Sequence, residues 1–328
     1  LTNRFLSNSL ALQVICAIVC LVAHTIYAAS SVKACGTLFH TVIGMDPQIA
    51  MYLAAVVIVG YTFLGGFSAV CWTDFFQGML VLGSMFIAPI FAAFMLDTSS
   101  MSSLPGGYLY PFSSRQDIVS GLAWGLGDFG MPHIIIRFMS IKSQKELKKS
   151  AKIGITWTLL IVFFATLIGV IGRLFLGFDE SINENSLVFI QIVRKIFPGV
   201  ISGILLSAVL AASMSTADSQ LLAASSAFSS DVYKPVIRKG KASDKEMMWT
   251  GRIVVLGISV AALIIASNPN AGSIMALVSN AWGIFGAAFG PAIMLSLFWK
   301  RCNFKGAVAG IITGAAVDIL WYAFLTST

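Results

Sequence analysis

Long apolar stretches recur along almost the whole chain, and they limit what it can fold into more than any other feature. Each holds about 20 or more residues, enough for a helix to cross roughly 30 Å of hydrocarbon. Of the 328 residues, 57% are hydrophobic and 11% charged, unlike an average soluble domain. The alternating dyads of a membrane barrel are not seen, so the spans are expected to be helices. Nine spans are predicted, at residues 8–35, 48–66, 71–96, 117–140, 153–178, 198–229, 249–267, 272–299 and 305–325.

The distribution of Lys and Arg predicts how these spans are oriented. Most of the 21 basic residues fall in alternate connections, above all in 141–152, 231–248 and 300–305. Such residues collect on the cytoplasmic side, so the chain is expected to begin there, in a multi-pass protein of the cell membrane. The net charge of +7 then reflects an anionic inner leaflet, not nucleic-acid binding. Because the chain opens without Met, we expect an N-terminally truncated fragment.

Small hydroxyl residues and a carboxylate interrupt the sixth span. Four residues have the spacing i, i+3, i+4 and i+7, and so lie on one face of a helix. They are Ala212, Ser215, Thr216 and Ser219. Asp218 lies beside them, and an ionisable residue within a span predicts function because its charge is costly in hydrocarbon. Helix packing alone would also explain the small residues, but it does not require the carboxylate, which favours a cation site.

The fourth span contains GLAWGLGDFGMPH, between Gly121 and His133. Its four glycines and one proline predict a broken helix, which a membrane tolerates where the backbone is buried or lines a cavity. A simple kink is the alternative. Trp124 and Asp128 favour a site, because they add an aromatic surface and a second carboxylate. A third carboxylate, Asp74, begins span three, where it is either part of a site or a charge at a helix N-terminus.

Four segments together resemble the sodium:solute symporter family, closest to its sodium/proline symporter branch. They are YTFLGGFSAVCWTDFFQG (61–78), WGLGDFGMPHIIIRFM (124–139), SGILLSAVLAASMSTADSQLLAASSAFSSDVYK (202–234) and VSNAWGIFGAAFGP (278–291). The resemblance implies an all-α polytopic membrane protein with a LeuT-like core of two inverted five-helix repeats. The chain, 1–328, would be one transporter domain lacking the leading helix and core helices one and two. Residues 117–299 would form the second repeat, and 300–328 a helix after the core.

The resemblance also implies cation ligands. The main sodium site would use the carbonyl of Ala212 and the hydroxyls of Ser215 and Thr216. Some members of the family add a second sodium site, which here would be formed by Asp74, Asp218 and Ser219. The coupling ion is therefore expected to be Na⁺, whose preference for oxygen ligands these groups match.

The solute pocket implied by the resemblance lies between span one and the break of span four. Its residues would be Tyr27, Trp124, Asp128, Pro132 and Ser219. Position 128 departs from the proline branch, which typically has tyrosine there. An aspartate would either pair with the ammonium group of an amino acid or indicate a different solute.

The function implied is sodium-coupled import of a small organic solute, most simply proline or a related amino acid. Pantothenate, a sugar or a short carboxylate are alternative solutes, and a channel, a sensor or a fragment inactive on its own are alternative functions. The sequence shows no nucleophile paired with a base, so we do not expect an enzyme. The expected partners are the solute and the lipid bilayer, without nucleic acid or an obligate protein partner.

Overall fold

The computed structural model describes residues 2–5, 10–96, 106–110, 112, 114–177 and 185–324. In these ranges the regular structure is entirely helical. Some residues of the predicted spans and of the predicted post-core segment lie outside the described ranges, namely 8, 9, 178 and 325–328. The α-helices are α1 (Thr2–Phe5), α2 (Ala11–Ile43), α3 (Pro47–Phe94), α4 (Arg115–Gly127), α5 (Pro132–Met139), α6 (Gln144–Leu176), α7 (Val188–Ile196), α8 (Gly199–Phe228), α9 (Asp244–Ser267), α10 (Ile274–Phe298) and α11 (Phe304–Phe324). Short 3₁₀ turns cover Asp128–Gly130 and Asn185–Leu187, and a π-helical segment, Ser229–Ile237, continues α8.

Seven of the helices in the described ranges are long and apolar enough to cross a membrane. They contain eight of the predicted spans, because α3 includes both span two and span three. Span four is divided into shorter pieces. The seven helices therefore correspond to eight of the predicted spans, and the count of nine crossings stays a prediction.

Helix α3 is really two helices joined at Gly66. A straight helix of its 48 residues would be about 72 Å long, far more than a bilayer requires. At Gly66 the backbone has φ 62° and ψ −166°, a conformation that is open to glycine and strained for other residues. The boundary predicted between spans two and three lies at this point.

Several helices begin at residues whose side chains cap free backbone N–H groups. Asp46 accepts hydrogen bonds from Gln48 N and Ile49 N at 2.9 and 3.1 Å, just before Pro47 opens α3. Ser143 and Ser243 cap α6 and α9 in the same way. These caps fix where polar connections give way to apolar helices.

Helices α2 and α8 form the centre of the bundle and lie against α3 and α9. Alanines dominate their shared core, which includes Ala28, Ala29, Ala217 and Ala224. Small side chains let membrane helices approach closely, so that van der Waals packing can hold them together. A second core, around Phe285, joins α2 to α10 and α11. These two cores hold in place the polar residues of α8 and the broken fourth span.

Polar contacts connect the ends of the helices in two groups. At one end, Arg4 Nε donates to the carbonyl of Ser296 at 2.9 Å. At the other, Lys33 donates to the carbonyl of Gly272, and Arg194 donates to that of Thr41 at 2.7 Å. We call the first the basic end, because it also carries the segment 231–248. These contacts agree with the prediction that successive connections lie on opposite sides of the membrane. The cytoplasmic placement of the basic end stays a prediction.

Candidate functional site

The break predicted in the fourth span is confirmed. Helix α4 ends at Gly127, a 3₁₀ turn follows, and α5 starts at Pro132. Gly130 lies so close to α10 that a Cβ there would collide with the carbonyl oxygen of Phe285 and stand 2.9 Å from Gly290 N. The broken backbone is therefore buried against protein, the setting in which a membrane permits it.

The predicted sodium ligands of α8 lie on one helix face. Thr216 Oγ1 and Ser215 Oγ both donate to the carbonyl of Ala212, at 2.8 and 3.1 Å. Each hydroxyl hydrogen is thereby used within the helix, which leaves oxygen lone pairs available to a cation. Ser215 and Thr216 line a cavity of about 490 Å³, which we call the central cavity.

Asp74 also lines the central cavity and meets a partner from the fourth span. Arg137 Nη2 donates to Asp74 Oδ2 at 2.5 Å and to Ser219 Oγ at 2.6 Å. The Asp74 side chain is 11% exposed and that of Arg137 44%. Asp74 Oδ1 is buried and has no hydrogen-bond partner. One oxygen of this carboxylate is therefore free to act as a ligand.

Asp218, in contrast, is fully buried and its oxygens are occupied. Tyr61 donates from its hydroxyl to Asp218 Oδ2 at 2.7 Å, and Ser219 donates to Oδ1 at 3.3 Å. Ser219 also lies 3.5 Å from Asp74 Oδ2. The predicted ligands of the second sodium site are thus connected through Ser219. Asp218 faces Tyr61, and Asp74 faces the central cavity.

The five predicted pocket residues do not surround one cavity. Tyr27 and Ser219 line the central cavity. Trp124 lines a separate cavity of about 590 Å³ between α4 and α10, which we call the lateral cavity. Asp128 and Pro132 line neither.

Two histidines meet beside the central cavity. His24 is fully buried, and its Nδ1 forms a hydrogen bond with Gln220 Oε1 of α8. Its ring centroid is 5.8 Å from that of His133, which follows the break. The contact joins α2, α5 and α8 at the level of the predicted site. Within the described ranges, no group of three or more His, Cys, Asp or Glu could hold a metal ion.

A third cavity, of about 550 Å³, lies towards the basic end and is lined by Gly66 and Arg252 among others. We call it the basic-end cavity. It shares His133, Arg137 and Ser219 with the central cavity. The ion pair of Arg137 and Asp74 therefore stands where the two cavities meet.

The sequence of this chain matches a family model over residues 1–314, that of the sodium:solute symporter family. The chain belongs to the sodium:solute symporter family. This is the family that the sequence motifs indicated. Three features of the site therefore occur in a chain from a family of symporters: the hydroxyl residues of α8, the broken fourth span and Asp74.

Curated relatives of this symporter-family chain cover nearly all of it. It is 42% identical, over 98% of its length, to the high-affinity proline transporter PutP of Bacillus subtilis, and covers 69% of that protein. It is 38% identical, again over 98% of its length, to the sodium/proline symporter of Escherichia coli, and covers 66% of it. The chain thus spans about two thirds of the length of the curated relatives that it matches.

A solved structure with the same fold is that of a Na⁺-coupled sialic acid symporter in a substrate-bound outward-open state. The TM-score is 0.78 at 18% sequence identity, covering 97% of this chain and 76% of that one. At this identity the likeness establishes the fold of the symporter-family chain and says nothing of its solute.

Sequence reasoning missed three polar residues at the site. They are Arg137, Tyr61 and Gln220, none of which is among the site residues predicted from the sequence. The available signal for Arg137 was its position five residues after Pro132, within a predicted span. Tyr61 and Gln220 gave no comparable signal, because their partners lie 157 and 196 residues away in the chain.

Proposed function

We propose that this protein is a sodium-coupled secondary active transporter that imports proline or a closely related amino acid. The observation that carries the proposal is the central cavity, which is lined by both the hydroxyls of α8 and Asp74. Hydroxyl, carbonyl and carboxylate oxygens are the ligands that hard cations prefer. One cavity therefore offers cation ligands beside space for a small solute.

In this proposal the main sodium ion is held by the Ala212 carbonyl and the hydroxyls of Ser215 and Thr216. A second sodium ion would use Asp74 Oδ1, which has no partner, together with Ser219 and Asp218. Of these three residues Asp74 would contribute most, because the Asp218 oxygens are already engaged by Tyr61 and Ser219. The sodium stoichiometry would then depend on whether Arg137 leaves Asp74.

The solute would lie in the central cavity between Tyr27 and Ser219, which line it. The proposal places the break beside this solute, although its residues Trp124, Asp128 and Pro132 do not line the central cavity. Asp128 begins the 3₁₀ turn of the break, and in this proposal its charge would act on a solute ammonium group.

Transport would follow from coupling between the two ligands. Sodium that stabilises one state of the core raises the affinity for the solute, and the solute raises that for sodium by the same factor. Residues 117–299 would form the second of two inverted repeats, which rock against each other around a fixed site at the membrane midplane. The helix of 300–328 would follow that core, and the basic end would face the cytoplasm.

The choice of proline is supported by the relatives, whose names specify proline transport at 38–42% identity over nearly the whole chain. Asp128 is the residue most able to change that choice. The bilayer and the solute are the partners that the proposal requires.

The test is uptake of radiolabelled proline into proteoliposomes containing the product of the full gene. We expect saturable uptake with a sodium gradient and little uptake when potassium replaces sodium. An excess of unlabelled proline should compete, whereas pantothenate, a sugar or a short carboxylate should not. Uptake that is independent of sodium, or a different competitor, would overturn the proposal; flux that rises without saturation would indicate a channel.

A further inference from the structure

An apolar groove of about 540 Å³ runs between α3 and α9, and we call it the α3–α9 groove. On α3 it extends from Tyr52 to Leu64, and on α9 from Leu256 to Leu263. Twelve helical rises on α3 make it about 18 Å long, close to the hydrocarbon thickness of one leaflet. Ser259, which also lines it, donates its hydroxyl to a carbonyl of its own helix at 2.7 Å. The groove therefore has the length and the apolar walls that suit an acyl chain.

The α3–α9 groove is continuous with the basic-end cavity. Phe63 and Leu64 line both of them. Leu64 is 75% exposed, so this junction is open to the surroundings of the bundle. A molecule whose apolar part lies in the groove would therefore place its polar part at the basic end.

Arg252 supplies a positive charge at this junction, where it lines the basic-end cavity. Its guanidinium carbon lies 5.2 Å from the centroid of the Phe63 ring and 5.1 Å from that of Trp249. Both distances are in the cation–π range, so the rings help to hold the guanidinium in place. The two ion pairs of the described residues do not involve Arg252, and no Asp or Glu is found among the described residues that line this cavity. Its charge is therefore available to an anion.

The position of Arg252 along the membrane normal suits a lipid phosphate. Arg252 lies in the first turn of the predicted span 249–267. Phosphates lie just outside the hydrocarbon, and an arginine near the end of a span can extend to them. Any apolar helix face in a membrane contacts lipid, so the groove alone would select none in particular. The guanidinium at its end adds the selectivity, because arginine binds phosphate through two parallel hydrogen bonds.

We propose that the α3–α9 groove is a binding site for an anionic phospholipid. One acyl chain would lie along the groove, and the phosphate would accept hydrogen bonds from Arg252. Basic pockets between membrane helices bind anionic headgroups on the cytoplasmic side, which the basic end is predicted to face. The residues that form this site are not among the proposed sodium or solute ligands, and the inference does not depend on the proposed transport of proline.

The experiment is native mass spectrometry of the full gene product in detergent, without sodium or proline. The protein is titrated with phosphatidylglycerol or with phosphatidylcholine of the same acyl chains, and the dissociation constant of the first bound lipid is measured. We expect phosphatidylglycerol to bind about fivefold more tightly, and Arg252→Gln to remove this preference. Lys245→Gln, at an exposed basic residue in the first turn of α9, is the control and should keep it. The proposal is wrong if the wild type shows no preference, if the preference survives Arg252→Gln, or if both variants lose it equally.

Two exposed glycines test the acyl chain independently of Arg252. Gly60 lines the groove, and no neighbouring atom lies within 4 Å of the position that a Cβ would take. Gly60→Leu should therefore fill the groove and weaken binding of both lipids by about fivefold. Gly257 on α9 is equally open and does not line the groove, so Gly257→Leu should bind both lipids as the wild type does. Equal lipid binding by these two variants would overturn the proposal, and the pair decides the question if Arg252→Gln does not fold.

A competition measurement separates a phospholipid from a small anion. Glycerol 3-phosphate carries the phosphate without an acyl chain, so it should not displace phosphatidylglycerol at similar concentrations. Displacement would show that Arg252 binds a free phosphate without help from the groove, and the proposal of a lipid site would fall.

Discussion

Arg137 donates to Asp74 Oδ2 at 2.5 Å and thereby places a fixed positive charge where the central cavity meets the basic-end cavity. Asp74 lies 63 residues earlier in the chain. Arg137 holds one oxygen of the Asp74 carboxylate, and the other oxygen is free. A sodium ion can therefore bind Asp74 only in competition with the guanidinium. The ion pair is therefore expected to affect both sodium affinity and passage between the cavities.

The first prediction concerns Arg137→Gln. Removal of the guanidinium leaves Asp74 without its charged partner, so the apparent affinity for sodium should rise by about tenfold, since charge-assisted hydrogen bonds are among the strongest in proteins. The measurement is the sodium concentration that gives half-maximal proline uptake by the full gene product. Lys142→Gln, at an exposed basic residue nearby, is the control and should behave like wild type. A lower sodium affinity in Arg137→Gln would contradict the competition.

The second prediction concerns the hydroxyls of α8. Thr216→Ala removes an oxygen that lines the central cavity, and the sodium requirement for uptake should increase by about tenfold, as should that of Ser215→Ala. Thr216→Ser keeps the oxygen and should retain most of the affinity. Ser213→Ala is the matched control, because Ser213 is buried, donates to Val209 O of its own helix and does not line the central cavity. Unchanged sodium dependence in both Thr216→Ala and Ser215→Ala would remove the main sodium site from α8.

The third prediction separates the two carboxylates of the second sodium site. Asp74→Asn should reduce sodium affinity more than Asp218→Asn, because Asp74 Oδ1 is free and the Asp218 oxygens accept from Tyr61 and Ser219. Tyr61→Phe should instead act on stability. It removes the donor to Asp218 and Met214 O, which should cost about 1–3 kcal/mol and lower the temperature of thermal unfolding. The reverse ranking of the two aspartates in uptake assays would place the ion beside Asp218.

The fourth prediction concerns solute choice. Asp128→Asn removes a charge from the break beside the proposed solute pocket, so it should change the relative uptake of proline and its competitors by about fivefold while sodium affinity stays within about twofold. Competition curves at saturating sodium measure the first quantity, and sodium titrations at saturating proline measure the second. A change confined to sodium affinity would move Asp128 out of the solute pocket.

Local sequence patterns were sufficient to predict the spans, the break and the row of hydroxyl residues on α8. Hydrophobic length, glycine content and helical spacing can each be recognised within a short segment of the sequence. The contact of Asp74 with Arg137, and that of Asp218 with Tyr61, join distant helices and leave no mark on local periodicity. The division of the pocket residues between two cavities likewise depends on how α4, α8 and α10 pack.

The last prediction tests whether the close contact at Gly130 holds the break in place. Gly130→Ala would force a Cβ into the backbone of Phe285 and Gly290, and such overpacking should cost roughly 1–3 kcal/mol. Gly121→Ala is the matched control: that glycine is exposed on α4, and no neighbouring atom lies within 4 Å of the position that a Cβ would take, so alanine should be neutral or stabilise the helix by up to about 1 kcal/mol. Thermal unfolding of both variants in nanodiscs gives the comparison. Since the break adjoins the proposed solute site, Gly130→Ala should also reduce proline uptake at temperatures where it remains folded. Equal stability of the two variants would show that α10 does not hold the break through this contact.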